Sequence, residues 1–174
     1  MWKQSSKKTN SEKKFTSAQQ AYDCALNLLS YRDYSDSGML DRLQRKGADE
    51  EQARESVEKL KEYGLLDEKR YACRIYEMWL NKRCYGRQHL QAELARRGIR
   101  KEYIGMVLDM FTPEMEAERA EAAAEIFMQR NRKKLEAGAD RKLAAAAGRF
   151  MAARGFSSRY MYILLSRLHY NNDI

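Results

Sequence analysis

Three segments of this chain can be laid over one another on a glycine. Leu40 to Leu60 runs through Gly47, Gln91 to Phe111 through Gly98, and Gly148 to Leu168 through Gly155. Four residues before each glycine stands an apolar residue: Leu43, Leu94 or Met151. After it, apolar residues return at the sixth, tenth and thirteenth places: Ala53, Val57 and Leu60; Ile104, Leu108 and Phe111; Met161, Leu165 and Leu168. That is the spacing of one helix face. The glycine suits the end of a helix, where a left-handed residue satisfies the last carbonyls and glycine takes that conformation at least cost. Arg45-Lys46, Arg96-Arg97 and Arg154 precede it and favour the negative end of the helix dipole. Each segment reads as helix, glycine turn, helix.

A further helix precedes each pair. In the first unit the spacing predicts a helix over Ser17 to Tyr31, with Ala21, Ala25, Leu28 and Leu29 on one face. Ser35 then caps the second helix, and Asp49 with Gln52 resembles a capping box for the third. In the second unit the first helix starts at Asp67, carries Tyr71, Ile75, Met78 and Trp79 on one face, and ends before Gly86. In the third it starts at Thr112-Pro113, a capping residue followed by a proline tolerated at the first helical position. That helix has Glu114, Glu116 and Glu118 near its start and Arg130, Arg132, Lys133 and Lys134 near its end, an order that suits the dipole. Ser157 is the expected cap of the last helix.

The predicted organisation is all-α. A disordered basic tail covers 1–14, and three-helix repeats cover 15–66, 67–111 and 112–174. Tandem units of this kind contact mainly their neighbours, so the expected architecture is an elongated, curved array with a long binding surface. A single proline and nine glycines in 174 residues leave the helices uninterrupted.

Charge points to an anionic partner. The formal net charge is +8, and it divides as +4 over residues 1–16, −3 over 17–66, +4 over 67–112 and +3 over 113–174. Three cysteines with no Cys-x-x-Cys pair argue against a disulfide framework and for a reducing cytoplasm. Nothing near the ~20 apolar residues of a membrane span occurs, and the N-terminus does not read as a signal peptide.

No nucleophile elbow, phosphate loop or dinucleotide fingerprint appears, and His89 and His169 have no ligand-type neighbours. The chain is therefore expected to bind rather than catalyse, with no metal or cofactor. The candidate surface is the basic group of the second unit: Lys82, Arg83 and Arg87 around Gly86, and Arg96, Arg97, Arg100 and Lys101 around Gly98. Arginines and lysines at helix ends suit phosphates through charge-assisted hydrogen bonds, although dipole compensation and solubility place them there too. Arg149 and Arg154 extend the group into the third unit, and Tyr85 is a candidate for stacking on a base.

The run Gly64-Leu65-Leu66-Asp67-Glu68-Lys69-Arg70-Tyr71-Ala72 resembles the signature of the RecX family. The resemblance continues through Tyr76, Arg83, Gly86, Arg87, Leu90, Glu93, Leu94 and Arg97-Gly98-Ile99. Ser35, Leu40, Leu43 and Lys46-Gly47 carry it in the first unit. It spans roughly residues 17–168 as three collinear triple-helix units. The resemblance implies a non-enzymatic, cytoplasmic and monomeric regulator of RecA, the bacterial recombinase, with a place in DNA repair, recombination and the SOS response. Such a protein lies in the groove of the RecA–single-stranded DNA filament. There it inhibits filament growth, ATP hydrolysis, strand exchange and coprotease activity. The alternative is a sequence-nonspecific nucleic-acid-binding protein that uses its helix-turn-helix units without RecA.

Overall fold

The computed structural model describes residues 14–138 and 141–170. Apart from Lys14, the tail expected over 1–14 lies outside the described residues, as do residues 171–174 of the expected third repeat. Among the described residues every element is an α-helix, as the periodicity predicts. The order is α1 (Ala18–Tyr31), α2 (Asp36–Arg45), α3 (Glu50–Glu62), α4 (Glu68–Leu80), α5 (Arg87–Arg96), α6 (Lys101–Met110), α7 (Pro113–Arg130), α8 (Arg132–Glu136), α9 (Arg141–Ala153) and α10 (Ser158–Tyr170). None of these helices is long and apolar enough to cross a membrane.

The three aligned glycines do one job. Gly47, Gly98 and Gly155 have φ of 107°, 75° and 76°. Beyond each, the next amide reaches back five residues to a carbonyl of the closing helix: Ala48 to Leu43 at 3.1 Å, Ile99 to Leu94 at 3.2 Å, and Phe156 to Met151 at 3.2 Å. This is the Schellman closure, which a contact between the two bonded residues accompanies. All six of those side chains are buried. The closure explains why Gly-Phe serves in the third repeat where Gly-Ile serves in the second: the position needs only an apolar group. Gly64, with φ of 65°, closes α3 in the same way through Leu65 and Leu60.

The chain divides into two compact units, residues 1–68 and 69–174. In the first, α1–α3 bury Ala21, Ala25, Met39, Leu43, Ala53, Val57 and Leu60 together. Ser35 caps α2, and Asp49 and Gln52 form the capping box of α3. Glu68 closes this unit. It is 3% exposed and accepts a bond from the Asp36 amide in the first turn of α2, at 3.0 Å.

In the second unit, α4–α6 and α7–α10 each surround their own core. Trp79 is the centre of the first. It is 1% exposed, stands edge-on to Phe111 at 5.3 Å, and donates its indole N–H to His89 Nδ1 at 2.9 Å. The second core gathers Ala120, Ala123, Ala124 and Phe127 of α7 against Leu143, Ala147 and Met151 of α9 and Leu164 and Leu168 of α10.

Two expectations for the third repeat need correction. The long helix expected to start at Thr112-Pro113 and to carry Arg130, Arg132, Lys133 and Lys134 near its end stops at Arg130, and Arg132–Lys134 belong to the separate short α8. Asn131 makes the break. Its side-chain amide donates to the Phe127 carbonyl at 2.9 Å, the local backbone bonding by which such residues compete with helix continuation. On α10, Met161 and Leu165 are only half buried. Tyr160 and Leu164 take the core positions, with the Tyr160 hydroxyl donating to the Pro113 carbonyl at 3.2 Å.

Candidate binding surface

The nine basic residues singled out from sequence lie at three places in the second unit. Lys82, Arg83, Arg87 and Arg154 are gathered at the start of α5, where the Gly86 amide donates to the Arg154 carbonyl at 2.9 Å. Arg96, Arg97, Arg100 and Lys101 stand at its other end, about 13 Å along the helix axis at 1.5 Å per residue. Arg149 is exposed on α9.

Several of these side chains serve the protein itself. The Arg87 guanidinium donates to the carbonyls of Leu108 at 2.6 Å and Phe111 at 3.1 Å, satisfying the open C-terminal end of α6. Arg97 donates to Glu93 at 2.9 Å and to the Tyr71 hydroxyl at 3.3 Å, while Arg96 grips the same carboxylate. Burial pushes the Glu93 carboxyl up, but the bonds from Arg96 and Arg97 outweigh it and hold the carboxyl below its ordinary value. Arg154 lies over the Phe150 ring at 3.5 Å. Arg100 lies over Tyr103 at 4.8 Å and donates to its hydroxyl. Among the described residues, Lys82, Arg83, Lys101 and Arg149 are exposed and form no ion pair. Tyr85, expected to offer its ring to a base, is half buried with its ring centroid 4.2 Å from that of His89.

The residues that sequence reasoning missed are those that lock α4–α6 to α7–α10. The first amide of α5, that of Arg87, donates to Glu116 of α7 at 2.8 Å, so a buried carboxylate occupies the positive end of that helix. Gln88 donates to the Gly155 carbonyl at 3.0 Å. Arg119 lies 4.5 Å over Trp79 and donates to the carbonyls of Leu80 at 2.8 Å and Lys82 at 2.5 Å, closing the end of α4. Burial lowers the pKa of Arg119 and, together with nearby Lys82, that of His89. The sequence carried one sign of this junction, a glycine at 86 beside the basic residues. A Cβ there would stand 2.6 Å from the Gly155 carbonyl and 2.7 Å from the Phe156 ring.

The start of α5 is thus filled by the protein's own groups and is closed to a phosphate. Among the described residues no cluster of three or more His, Cys, Asp or Glu side chains is arranged to hold a metal ion. What remains for a partner is a set of exposed cations on a helical frame.

Comparison with known proteins shows what the chain is similar to. The family model described as "RecX, first three-helix domain" matches residues 21–60, which fall within α1–α3. The regulatory protein RecX of Trichlorobacter lovleyi is 38% identical over 96 residues, covering 53% of this chain and 62% of that protein. The chain is similar to RecX proteins over its first three helices and across most of its length. The regulatory protein RecX of Limosilactobacillus reuteri is 30% identical over 138 residues, which is 79% of this chain and 51% of that protein. The matched part of the chain therefore spans between half and 62% of the length of these two RecX relatives. The crystal structure of RecX from Lactobacillus salivarius superposes with a TM-score of 0.74 at 22% identity. That match covers 88% of this chain and 97% of the other, and it establishes the RecX fold for both units.

Proposed function

We propose that this chain regulates the RecA–single-stranded DNA filament by binding it without catalysing a reaction. On this reading it restrains filament growth and lowers ATP hydrolysis, strand exchange and coprotease activity. The observation that carries the reading is the similarity: relatives named regulatory protein RecX match across most of the chain, and the first three helices match the RecX domain model. The structure is compatible with a binding role. Its buried polar groups, Glu68 and Glu116 above all, are engaged in closing helix ends. The exposed cations Lys82, Arg83, Arg96 and Lys101 remain at the surface for an anionic filament. The protein acts as a monomer in the cytoplasm, and the repeat units lie along neighbouring RecA subunits.

RecA ATP hydrolysis on single-stranded DNA, with the purified protein titrated in, tests this directly. Inhibition well below one protein per RecA is expected, because a groove-bound regulator affects many subunits. ATPase activity that is unchanged at a molar excess over the cognate RecA would sink the reading. It would leave the alternative, a nucleic-acid-binding protein that works without RecA.

A further inference from the structure

Among the described residues, the large apolar side chains that stand exposed gather mainly in the first unit: Leu26, Tyr31, Tyr63 and Leu65. Two of them end a groove between α1 and α3. These helices run parallel. The Phe15 amide donates to the Gly47 carbonyl at 3.0 Å, and the Gln52 side chain donates to the Phe15 carbonyl at 3.5 Å, which joins the start of α1 to the start of α3. Next along, Ala18, Gln19 and Tyr22 line the groove from one side and Glu55, Ser56 and Lys59 from the other. The Lys59 ammonium lies over the Tyr22 ring at 4.4 Å. Leu26 and Tyr63 stand four residues beyond Tyr22 and Lys59, so each continues the same face of its helix by one turn. The groove therefore starts at Phe15 and ends in a leucine and a tyrosine that are 37% and 65% exposed.

The α3 wall of the groove is acidic. Glu51, Glu55 and Glu62 fall on one stripe of the helix, at i, i+4 and i+11. All three are exposed, and among the described residues none forms an ion pair. The cations of α3 are engaged elsewhere, Arg54 with Glu50, Lys61 with Glu58 and Asp36, and Lys59 on Tyr22. Like charges at i, i+4 weaken a helix, so the stripe gives α3 no benefit of its own.

Such a groove repels phosphates. It fits a ligand with cations along its length and a large apolar group at one end, and the chain itself supplies one. Residues 1–13 hold Lys3, Lys7, Lys8 and Lys13 against Glu12, and their only large apolar side chains are Met1 and Trp2 at the far end. They lie outside the described residues and join the fold next to Phe15, at the head of the groove. Thirteen extended residues reach about 43 Å, whereas Gln52 to Tyr63 spans about 17 Å of helix. The charges are complementary, +4 over residues 1–16 and −3 over 17–66.

We propose that residues 1–13 dock in this groove within their own chain, with Lys3, Lys7 and Lys8 along the stripe of Glu51, Glu55 and Glu62 and Trp2 against Leu26 and Tyr63. Exposed ion pairs are individually weak, but the short tether makes docking intramolecular and raises the effective concentration to about the millimolar range. The docked segment neutralises the stripe and covers its apolar end, so a partner for this face has to displace it. The inference stands apart from the regulatory reading, because it concerns this chain alone.

The test uses the full chain. Trp79 is 1% exposed, so acrylamide quenching of tryptophan fluorescence reports on Trp2. Trp2 should be shielded at low salt, independently of protein concentration, and exposed at high salt, where the ion pairs are screened. Lys3→Gln, Lys7→Gln and Lys8→Gln together should shift the ratio of docked to free segment by about tenfold and expose Trp2. Glu51→Gln, Glu55→Gln and Glu62→Gln together should do the same. Reversing the segment with Lys3→Glu, Lys7→Glu and Lys8→Glu should expose Trp2, and adding Glu51→Lys, Glu55→Lys and Glu62→Lys should restore the shielding, a rescue that a folding defect cannot mimic. Trp2 that is fully quenched in the wild type, or shielding that survives both glutamine sets, overturns the proposal. Shielding that grows with protein concentration assigns the groove to residues 1–13 of another copy and overturns docking within the chain. Carbodiimide coupling of the unmodified protein gives a second readout: the monomer should contain Lys3, Lys7 or Lys8 joined to Glu51, Glu55 or Glu62, and a monomer without such links overturns the assignment.

Discussion

At the scale of single residues, two glycines show that the same side-chain loss is required for different reasons. Gly64 has φ of 65° and open space around its missing Cβ, whereas Gly86 has an ordinary φ of −93° and no space. Gly64→Ala therefore carries only a backbone cost, about 1 kcal/mol. Gly86→Ala must push apart backbone and ring atoms of the next repeat, and overpacking of this kind costs roughly 1–3 kcal/mol or more. Urea denaturation should rank Gly86→Ala as clearly the more damaging. Equal losses would mean that the contact at Gly155 yields easily. His89 adds a pH dependence. Its Nδ1 accepts the Trp79 N–H, and burial, aided by Lys82, holds its pKa below the ordinary 6.5. As pH falls through 6.5 the unfolded chain takes up a proton that the folded chain resists, so stability is full above that value and declines below it. The stability advantage of wild type over His89→Gln should shrink between pH 7.5 and pH 5. A difference that stays constant would show that His89 does not titrate differently in the two states.

At the scale of elements, helices and turns were largely legible in the sequence because each helix end carries its own chemistry. Ser35, Asp49 with Gln52, and Thr112 with Pro113 are local signals, and each caps the helix it was expected to cap. The glycine register was legible for the same reason. The end of α7 was not, because Asn131 acts through one bond to Phe127 and an asparagine in a basic run is a weak stop signal. The roles of the arginines were also hidden. Arg87 and Lys101 read alike as helix-end cations, but Arg87 closes α6 from a distance of more than twenty residues and Lys101 bonds to nothing among the described residues. Such pairing depends on which helices meet. Arg87→Ala should therefore lower stability by about 1–3 kcal/mol, as two bonds to carbonyls from a charged donor are lost. Lys101→Ala should stay within about 0.5 kcal/mol. Thermal unfolding of the two variants separates a structural arginine from a surface lysine, and equal midpoints would contradict the assignment of Arg87.

At the scale of the whole molecule, the repeat pattern alone suggests three equal modules, whereas α4–α6 and α7–α10 form one compact unit. They are joined by bonds among Gly86, Arg87, Gln88, Glu116, Arg154 and Gly155. Apart from the Glu116 carboxylate those bonds use backbone groups, and Gly86 beside the basic residues is the one sign of them in the sequence. The first unit has its own core and keeps its closing carboxylate, Glu68, within itself. This division predicts how damage spreads. Leu43 is fully buried in the first unit, and Leu43→Ala removes about 2–5 kcal/mol of packing there. Hydrogen exchange followed by mass spectrometry should show faster exchange throughout α1, α2 and α3, with the amides of α5, α6 and α9 keeping their protection. The reciprocal change, Leu94→Ala, removes a fully buried side chain from the core around Trp79. Because that core is bonded to the next one, protection should fall across α4–α6 and extend into α7–α10, while α1–α3 hold. Loss confined to α4–α6 would mean that the Gly86–Gly155 bonds do not couple the two cores. Loss reaching α1–α3 would mean that the chain unfolds as one body.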